Sequence, residues 1–525
     1  MKFILILFSG LILISANAAA QSGQMRNDAT LLRPDSAFAA TIAAMKGQKL
    51  SLAEARNLAI QNATEVRLAS ASLLAAKGEL RRVRGGFDPE LFAELGRSGN
   101  DSPSASPFGG ADVVETEQTN TTTGVRMKLP FGTEIEASVN ARKLETNSSF
   151  AALNPEYSAT SLLQLTQPLL SGFGPAAKAD LSAARHQYEA ALARYEQALL
   201  NVGADIENKY WDLYAAERDL AVQILIRDRG LAFLNQASLR AKAGLVGPGD
   251  VAKARVFVAD QEQQVLDREE AIGRISDELA SLIGQRPSEG TPRFRPTDTP
   301  ISAYAAPPSA ESVVSEAMER NQRLKAAEMD LEAARAREAG GKWNAWPNLD
   351  LVGSIGGNGL AGTAQEIAFG GETYTSDFDG SAGDSWSQAI SRDYPNWSIS
   401  LKFAMPIGLR PGRGERDRLS AERIRSEQLL VDTRRTLEED VRAYHRELLY
   451  ANQRLIAAEE GVEASLEQVR IGVLDYDTGR ISAVEIVLLA EDLARAQQSW
   501  TRALVKAAKA TAQLRKFTGS PDNSN

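Results

Sequence analysis

The chain has 525 residues, with 59 Lys+Arg against 68 Asp+Glu, two His and no Cys. The lack of Cys excludes a disulfide scaffold, a thiolate metal site, a Cys nucleophile and a Cys-linked lipid anchor, and two His, at 186 and 445, make no His-rich metal centre. A net charge of -9 argues against nucleic acid as a partner, because phosphate binding needs basic surface.

The chain opens on Lys2, an apolar run from Phe3 to Ile14 interrupted by Ser9 and Gly10, and then small residues. This is the order of a secretory signal peptide, and Ala18-x-Ala20 predicts cleavage before Gln21. An apolar core of about 12 residues is too short to cross a bilayer as a helix, which needs roughly 20. Residues 21–49 form an N-terminal extension. No later segment has 18 uncharged apolar residues in a row, so any part that crosses a membrane must do so as β-strand.

From Ala59 to Leu91 the chain is duplicated. The segment aligns without a gap to Ala317–Leu349 at an offset of 258, matching Leu73 to Leu331, Ala75-Ala76 to Ala333-Ala334, and Pro89-x-Leu91 to Pro347-x-Leu349. Two structural repeats follow, 50–284 and 309–517, with a Pro-rich linker at 285–308 and a tail at 518–525. Each repeat predicts one helix of about 35 residues, strands separated by a polar loop, a very long helix, a tight turn and a last helix. The first repeat carries strands within 87–167 and long helices over 176–284. The second carries strands within 347–405 and long helices over 412–517.

Strands are predicted at 87–97, 158–167, 347–356 and 395–405, with a further hairpin over 122–143 whose place in any barrel stays open. Trp397, Ile399, Leu401 and Phe403 alternate with Ser398, Ser400 and Lys402. Trp397, Phe403 and Tyr394 are candidates for an aromatic girdle at the membrane surface. In the hairpin, a three-residue loop at 131–133 predicts Lys128 opposite Glu136. Ser98–Thr121 and Gly356–Asp393 read as solvated loops. Four strands cannot close a barrel, which needs at least about eight, so several copies must share one; three copies supply twelve or more.

The long helix over 176–243 shows two apolar rows. Leu181, Ala184, Tyr188, Ala191, Tyr195, Ala198 and Val202 form one, and Leu192, Leu199, Ile206, Leu213 and Leu220 the other, so the helix packs on both sides. Gly414–Tyr476 is predicted as a second helix of similar length. The first long helix breaks at Gly244-Leu245-Val246-Gly247-Pro248-Gly249, where Asp250 is positioned to cap the next. The second breaks at Gly479, where Ser482 and Glu485 have capping-box spacing.

Taken together, the Leu52-x-Glu54-Ala55 helix start, the duplicated helix ending in Pro-x-Leu, the Gln167-Pro168-Leu169-Leu170 strand exit and the two Gly-broken turns resemble the TolC-like outer membrane efflux proteins over nearly the whole chain. The resemblance implies an α+β membrane protein: a homotrimer sharing one transmembrane β-barrel, continued by a long α-helical coiled-coil barrel in the periplasm. It implies a passive exit duct of a tripartite efflux pump or type I secretion system. The implied partners are two further copies of the chain, a periplasmic adaptor (membrane fusion protein), an inner-membrane pump and outer-membrane lipid. No cofactor, metal or enzymatic activity is implied.

By the same resemblance, Gly244, Leu245 and Val246, with Gly479, Arg480, Ile481 and Ser482, form the tip that meets the adaptor. Asp250 and Tyr476 form the periplasmic gate. Glu485 provides a constriction ring of carboxylates that favours cations, with Leu488 as an apolar ring beside it. The competing reading is a surface-anchored structural or adhesive protein on a coiled-coil stalk, which shares the leader and the strands but gives no reason for two repeats each ending in a broken turn.

Overall fold

The computed structural model describes residues 34–105, 109–286, 293–301, 308–369, 372–478, 480–481 and 483–519. The expected signal peptide and the end of the tail lie outside the described residues. In chain order the elements are α1 (Pro34–Ala44), β1 (Gln48–Leu50), α2 (Leu52–Asn62), α3 (Thr64–Gly85), β2 (Glu90–Pro103), β3 (Val113–Lys128), β4 (Glu134–Thr146), β5 (Leu153–Pro168), α4 (Pro175–Lys242), α5 (Pro248–Leu282) and β6 (Phe294–Pro296). The second half runs α6 (Ala310–Arg320), α7 (Gln322–Asn344), β7 (Asn348–Ala364), β8 (Ile367–Phe369), β9 (Glu372–Tyr374), α8 (Ala382–Ser391), β10 (Tyr394–Ala404), α9 (Arg410–Leu449), α10 (Ala451–Asp477) and α11 (Ala483–Thr518). The described chain forms two compact units, one of residues up to 71, 193–324 and from 433, the other of 72–192 and 325–432.

The expected first helix of each repeat is two helices. The break falls at Ala63 in the first repeat and at Asn321 in the second, which are equivalent at the offset of 258. The same offset relates the caps, where the Ser51 and Ser309 hydroxyls accept from the backbone N–H of Glu54 (3.2 Å) and Ser312 (3.3 Å). It also relates the first residues of β2 and β7, Glu90 and Asn348. The duplication thus extends to the places where the backbone changes direction.

In the helical unit, Ile206, Leu213 and Leu220 of α4 are buried with Val265, Ile272 and Leu279 of α5, and with Ala55 and Ala59 of α2. Tyr210, Trp211 and Tyr214 pack on Val505 and Ala508 of α11. α4 therefore packs on two sides, but not through one predicted row each: Val202 of the first row shares a cluster with Ile206, Leu213 and Leu220 of the second, and Tyr210, Trp211 and Tyr214, which belong to neither row, make the other contact. The expected second long helix is divided into α9 and α10 at Tyr450. Its backbone bonds continue across the division, Tyr450 N–H to Arg446 O at 3.2 Å and Arg454 N–H to Tyr450 O at 3.1 Å. The stretches read as extension and linker contribute β1 and β6, which pair in parallel.

One phenol ties this layer together. The Tyr210 hydroxyl is within 3.0 Å of Leu50 O and 2.8 Å of the Asp298 carboxylate, and it accepts from the N–H groups of Thr297 and Asp298. Burial, reinforced by the Asp298 carboxylate, pushes its pKa up to about 12.

The sheet unit departs most from expectation. Its six antiparallel strands lie in the order β10-β7-β5-β4-β3-β2. The hairpin over 122–143 is therefore integral to the sheet. Most of Ser98–Thr121 is strand rather than loop: β2 runs on to Pro103 and β3 starts at Val113. In the stretch 356–393, β7 runs on to Ala364, and β8, β9 and α8 follow. The β3–β4 turn keeps a three-residue loop but is displaced by one residue, to 130–132: Leu129 N–H donates to Thr133 O and Gly132 N–H to Leu129 O, both at 2.8 Å. Lys128 pairs with Glu134 (3.2 Å between charged atoms), and Arg126, not Lys128, stands opposite Glu136.

Tyr210→Phe should lower the thermal midpoint of the detergent-solubilised protein. The part-buried N–H groups of Thr297 and Asp298 would lose their acceptor, a cost of about 1 kcal/mol. Tyr450→Phe, on an exposed ring, should leave the midpoint unchanged. Because the folded pKa lies above the unfolded value, the contribution of Tyr210 is present below the unfolded phenol pKa and lost as pH rises through about 12. The alkaline loss of stability should accordingly be shallower in the Phe variant.

Candidate functional site

Strand register makes the sheet two-faced. One cross-strand row reads Trp397–Ile355–Leu163–Ala137–Val125–Leu91, and the next, one residue along, reads Ser398–Ser354–Gln164–Glu136–Arg126–Glu90. In an antiparallel ladder directly opposed residues share a face, and successive residues alternate faces. The first face is thus apolar across all six strands and the second polar.

On the apolar face Leu91 is 76% exposed, Trp397 74%, Ile399 68% and Phe403 63%. Large apolar side chains left open in a contiguous band mark a surface that meets another apolar phase. The band runs from the Phe403–Leu349 row to the Leu95–Thr121–Ala141–Ala159–Gly359 row. Ten residue steps along a strand cover ~33 Å, or ~25 Å in height at the tilt usual in membrane barrels, which is the thickness of their lipid-facing band. Above the band the same face turns charged, with Arg97 bonded to Glu117 (2.5 Å) and Lys143 to Glu145 (2.8 Å).

Tyr394 does not join Trp397 and Phe403 in a girdle. It stands an odd number of positions along the strand from each, so it lies on the opposite face; its ring also packs edge-on to Phe378, 6.1 Å between centroids.

The polar face carries cross-strand ion pairs that spacing alone did not reveal. Glu90 bonds Arg126 (2.7 Å), and Arg142 bonds Glu156 (2.9 Å). Their signal lay in the register, which is a tertiary property.

Helix α8 covers the upper end of the apolar face. Its backbone passes so close to β7 that a Cβ on Gly359 would stand 1.9 Å from Ser385 O, and one on Gly357 2.4 Å from Ala389 O. The Ser161 hydroxyl donates to Ala389 O at 2.6 Å. Arg392, in the left-handed region at φ 59°, closes the helix, and its guanidinium donates to Gly356 O (3.2 Å).

At the end of α4, Gly244 takes φ 76° and the Leu245 N–H returns to Arg240 O at 2.9 Å, satisfying carbonyls of the last turn. Leu245 projects, 74% exposed, and Val246 is half-buried. Asp250 does not cap α5: Gly247 holds that position, Pro248 is the first helical residue, and Asp250 is exposed in the first turn. There its carboxylate favourably meets the positive end of the helix.

At the second turn, Arg480 bonds Asp475, N–H to O at 2.8 Å and side chain to side chain at 3.1 Å. Ile481 and Leu489 lie over Gly472 of α10. Glu485 and Leu488 are both exposed on α11, one turn apart. Tyr476 falls in the last turn of α10, but its side chain lies outside the described residues, as do Gly479 and Ser482. His445 bonds Pro308 O at 2.8 Å, whereas His186 Nδ1 lies 3.5 Å from the Glu189 carboxylate without a hydrogen bond to it.

The sequence profile of the outer membrane efflux protein family matches residues 134–285 and 313–520. Solved outer-membrane channels share the fold. The OprN channel is 18% identical, covering 90% of each chain at a TM-score of 0.61. VceC from Vibrio cholerae is 16% identical, covering 89% of this chain and 96% of its own at 0.59. The open-state channel MtrE from Neisseria gonorrhoeae is 16% identical, covering 89% and 88% at 0.60. The fusaric acid resistance protein FusA from Burkholderia cepacia is 33% identical over 142 residues, and the chain spans 26% of that curated relative's length. With both repeats matched, and with a sheet built to meet lipid on one face and water on the other, the chain belongs to the outer membrane efflux protein family and resides in the outer membrane with a periplasmic extension.

Proposed function

We propose that the chain is the exit duct of a tripartite efflux pump or a type I secretion system, a passive channel that works as a homotrimer and opens when a periplasmic adaptor engages its helical tip. The observation that carries this reading is the open six-stranded sheet. Strands β2 and β10 are its free edges, and free edges cannot face lipid. Joining them between copies removes every edge and encloses a bore lined by the polar face. FusA, named for fusaric acid resistance, favours the efflux branch.

At the tip, projecting Leu245 with Val246 and Ile481 offers the adaptor an apolar contact framed by Arg480. We assign the gate to Asp250 and Tyr476, a phenol donating to a carboxylate. Such a link is broken when the adaptor binds the open state more tightly than the closed one. Three copies bring three Glu485 carboxylates round the axis, a ring that attracts cations, with Leu488 one turn further along α11.

Tyr476→Phe and Asp250→Ala should each raise the ion conductance of trimers reconstituted in planar bilayers. Conductance equal to that of the parent would remove both from the gate. Glu485→Gln should weaken cation selectivity, read as a reversal potential moving toward zero in a salt gradient. An unmoved reversal potential would leave Glu485 as a helix-terminal residue only.

A further inference from the structure

We propose that the trimer closes an eighteen-stranded barrel, in which the β3–β4 hairpin is an inserted pair of wall strands, so that this chain builds a wider outer-membrane mouth than four strands per copy would. The proposal rests on the trimeric reading above, and it is carried by the internal duplication, the ladder, the faces and the turn.

Strands β2 and β7 start at equivalent positions of the two repeats. Strands β5 and β10 each lead directly into a long helix, α4 and α9. Those four are the duplicated set, and β3–β4 has no counterpart in the second repeat. The corresponding stretch there holds β8, β9 and α8, which stay out of the sheet.

The hairpin is laddered on both sides. Its own pairing runs from Thr116–Thr146 to Lys128–Glu134. Strand β3 pairs with β2 from Pro103 to Glu90, and β4 pairs with β5 from Leu144 to Glu134. It therefore lies between the duplicated strands, and the free edges remain β2 and β10.

The hairpin also obeys the two-faced rule. Ile135, Ala137, Val139 and Ala141 continue the apolar face of β4, while Glu134, Glu136, Ser138 and Asn140 continue the polar one. On β3 the apolar face is Met127, Val125 and then Thr123 and Thr121, each with an aliphatic methyl; the Thr123 hydroxyl donates to Phe92 O at 3.4 Å. A hairpin folded into the bore would need two polar faces.

Finally, the lower turn is anchored to the strand exit. Gly132, at φ 101°, sits so close to Gly172 that a Cβ would stand 2.4 Å from its carbonyl oxygen. Thr133 bonds Gln167, and Gly174 N–H donates to Phe131 O at 3.4 Å.

Six strands from each of three copies make eighteen. Barrel diameter grows about linearly with strand number, so the mouth is about 1.5-fold wider than with twelve, in the range where porins hold an aqueous channel. The inserted strands add Arg126, Lys128, Glu134 and Glu136 to the bore, so the wider mouth is lined by paired charges suited to hydrated, polar cargo.

Electron cryomicroscopy of the full mature protein in lipid nanodiscs tests both layers. Eighteen strands in a trimer support the proposal. A trimer with twelve wall strands overturns it while leaving the trimeric duct standing, and a particle that is not a trimer overturns both.

An independent test uses the absence of native Cys. Single variants Thr122→Cys, Ser138→Cys and Asn140→Cys should be labelled by a membrane-impermeant maleimide in proteoliposomes. Thr123→Cys, Ala137→Cys and Val139→Cys should lose that labelling. Equal labelling of the two sets in correctly assembled protein would place the hairpin outside the wall.

Discussion

Hydrocarbon offers no partner to a backbone N–H or C=O, and that single fact organises this chain. Among the described residues no helix is long and apolar enough to cross a membrane. The membrane-facing part is the sheet with its exposed apolar face, and a sheet escapes the constraint only when it has no edge. One copy leaves β2 and β10 open. The apolar face, the polar face with its ion pairs and the need for further copies are consequences of the same requirement. The side chains satisfy lipid and water on opposite sides, and the backbone must be satisfied by a neighbour of its own kind.

The helical unit answers to water, and its means are different. Its helices meet through small residues, as at Ala55, Ala59, Ala254 and Ala280, all at most 4% exposed, so that backbones approach closely. Such thin contacts bury little area per residue, and buried polar bonds add the specificity. Arg295 bonds Glu217 at 2.6 Å and also donates to Ile42 O and Met45 O, fixing the end of α1 against β6. Arg515 bonds both oxygens of Glu207, whose pKa burial nevertheless raises, and Lys509 bonds Asp212. Removing one member of such a pair leaves a desolvated charge behind, so the pairs specify which surfaces may meet more than they add net stability.

The errors of strand extent have one physical origin. Period-two reading needs one face apolar and the other polar. From Thr116 to Thr121 the sequence is Thr-Glu-Gln-Thr-Asn-Thr, polar on both faces, because this part of β3 reaches above the lipid band or meets it through threonine. It reads as loop although it is fully laddered. Strand β7 fails for the opposite reason. Gly353, Gly356, Gly357 and Gly359 suggest a flexible segment, but Gly357 and Gly359 are seats for α8, where any side chain would collide with its backbone. The candidate tip was legible in outline, since a Gly-Leu-Val-Gly-Pro-Gly run can only break a helix. The cap was not: Pro248 is pre-set for the first helical position, which moves Asp250 inward to the first turn.

What the sequence determined by itself was periodicity and its interruption: helices with two apolar rows, strands with one apolar face, glycine breaks, and a duplication exact enough to align caps and strand starts. These are local properties, dictated by the 3.6- and two-residue repeats of side-chain direction. Only the tertiary structure decided register and neighbour. It set Arg126 rather than Lys128 opposite Glu136, put Tyr394 on the face away from Trp397, and threaded β3 and β4 between β2 and β5. Each depends on which strand lies alongside and at what offset. A shift of one residue exchanges the faces of a whole strand, so these choices belong to the assembled sheet and not to any stretch of sequence within it.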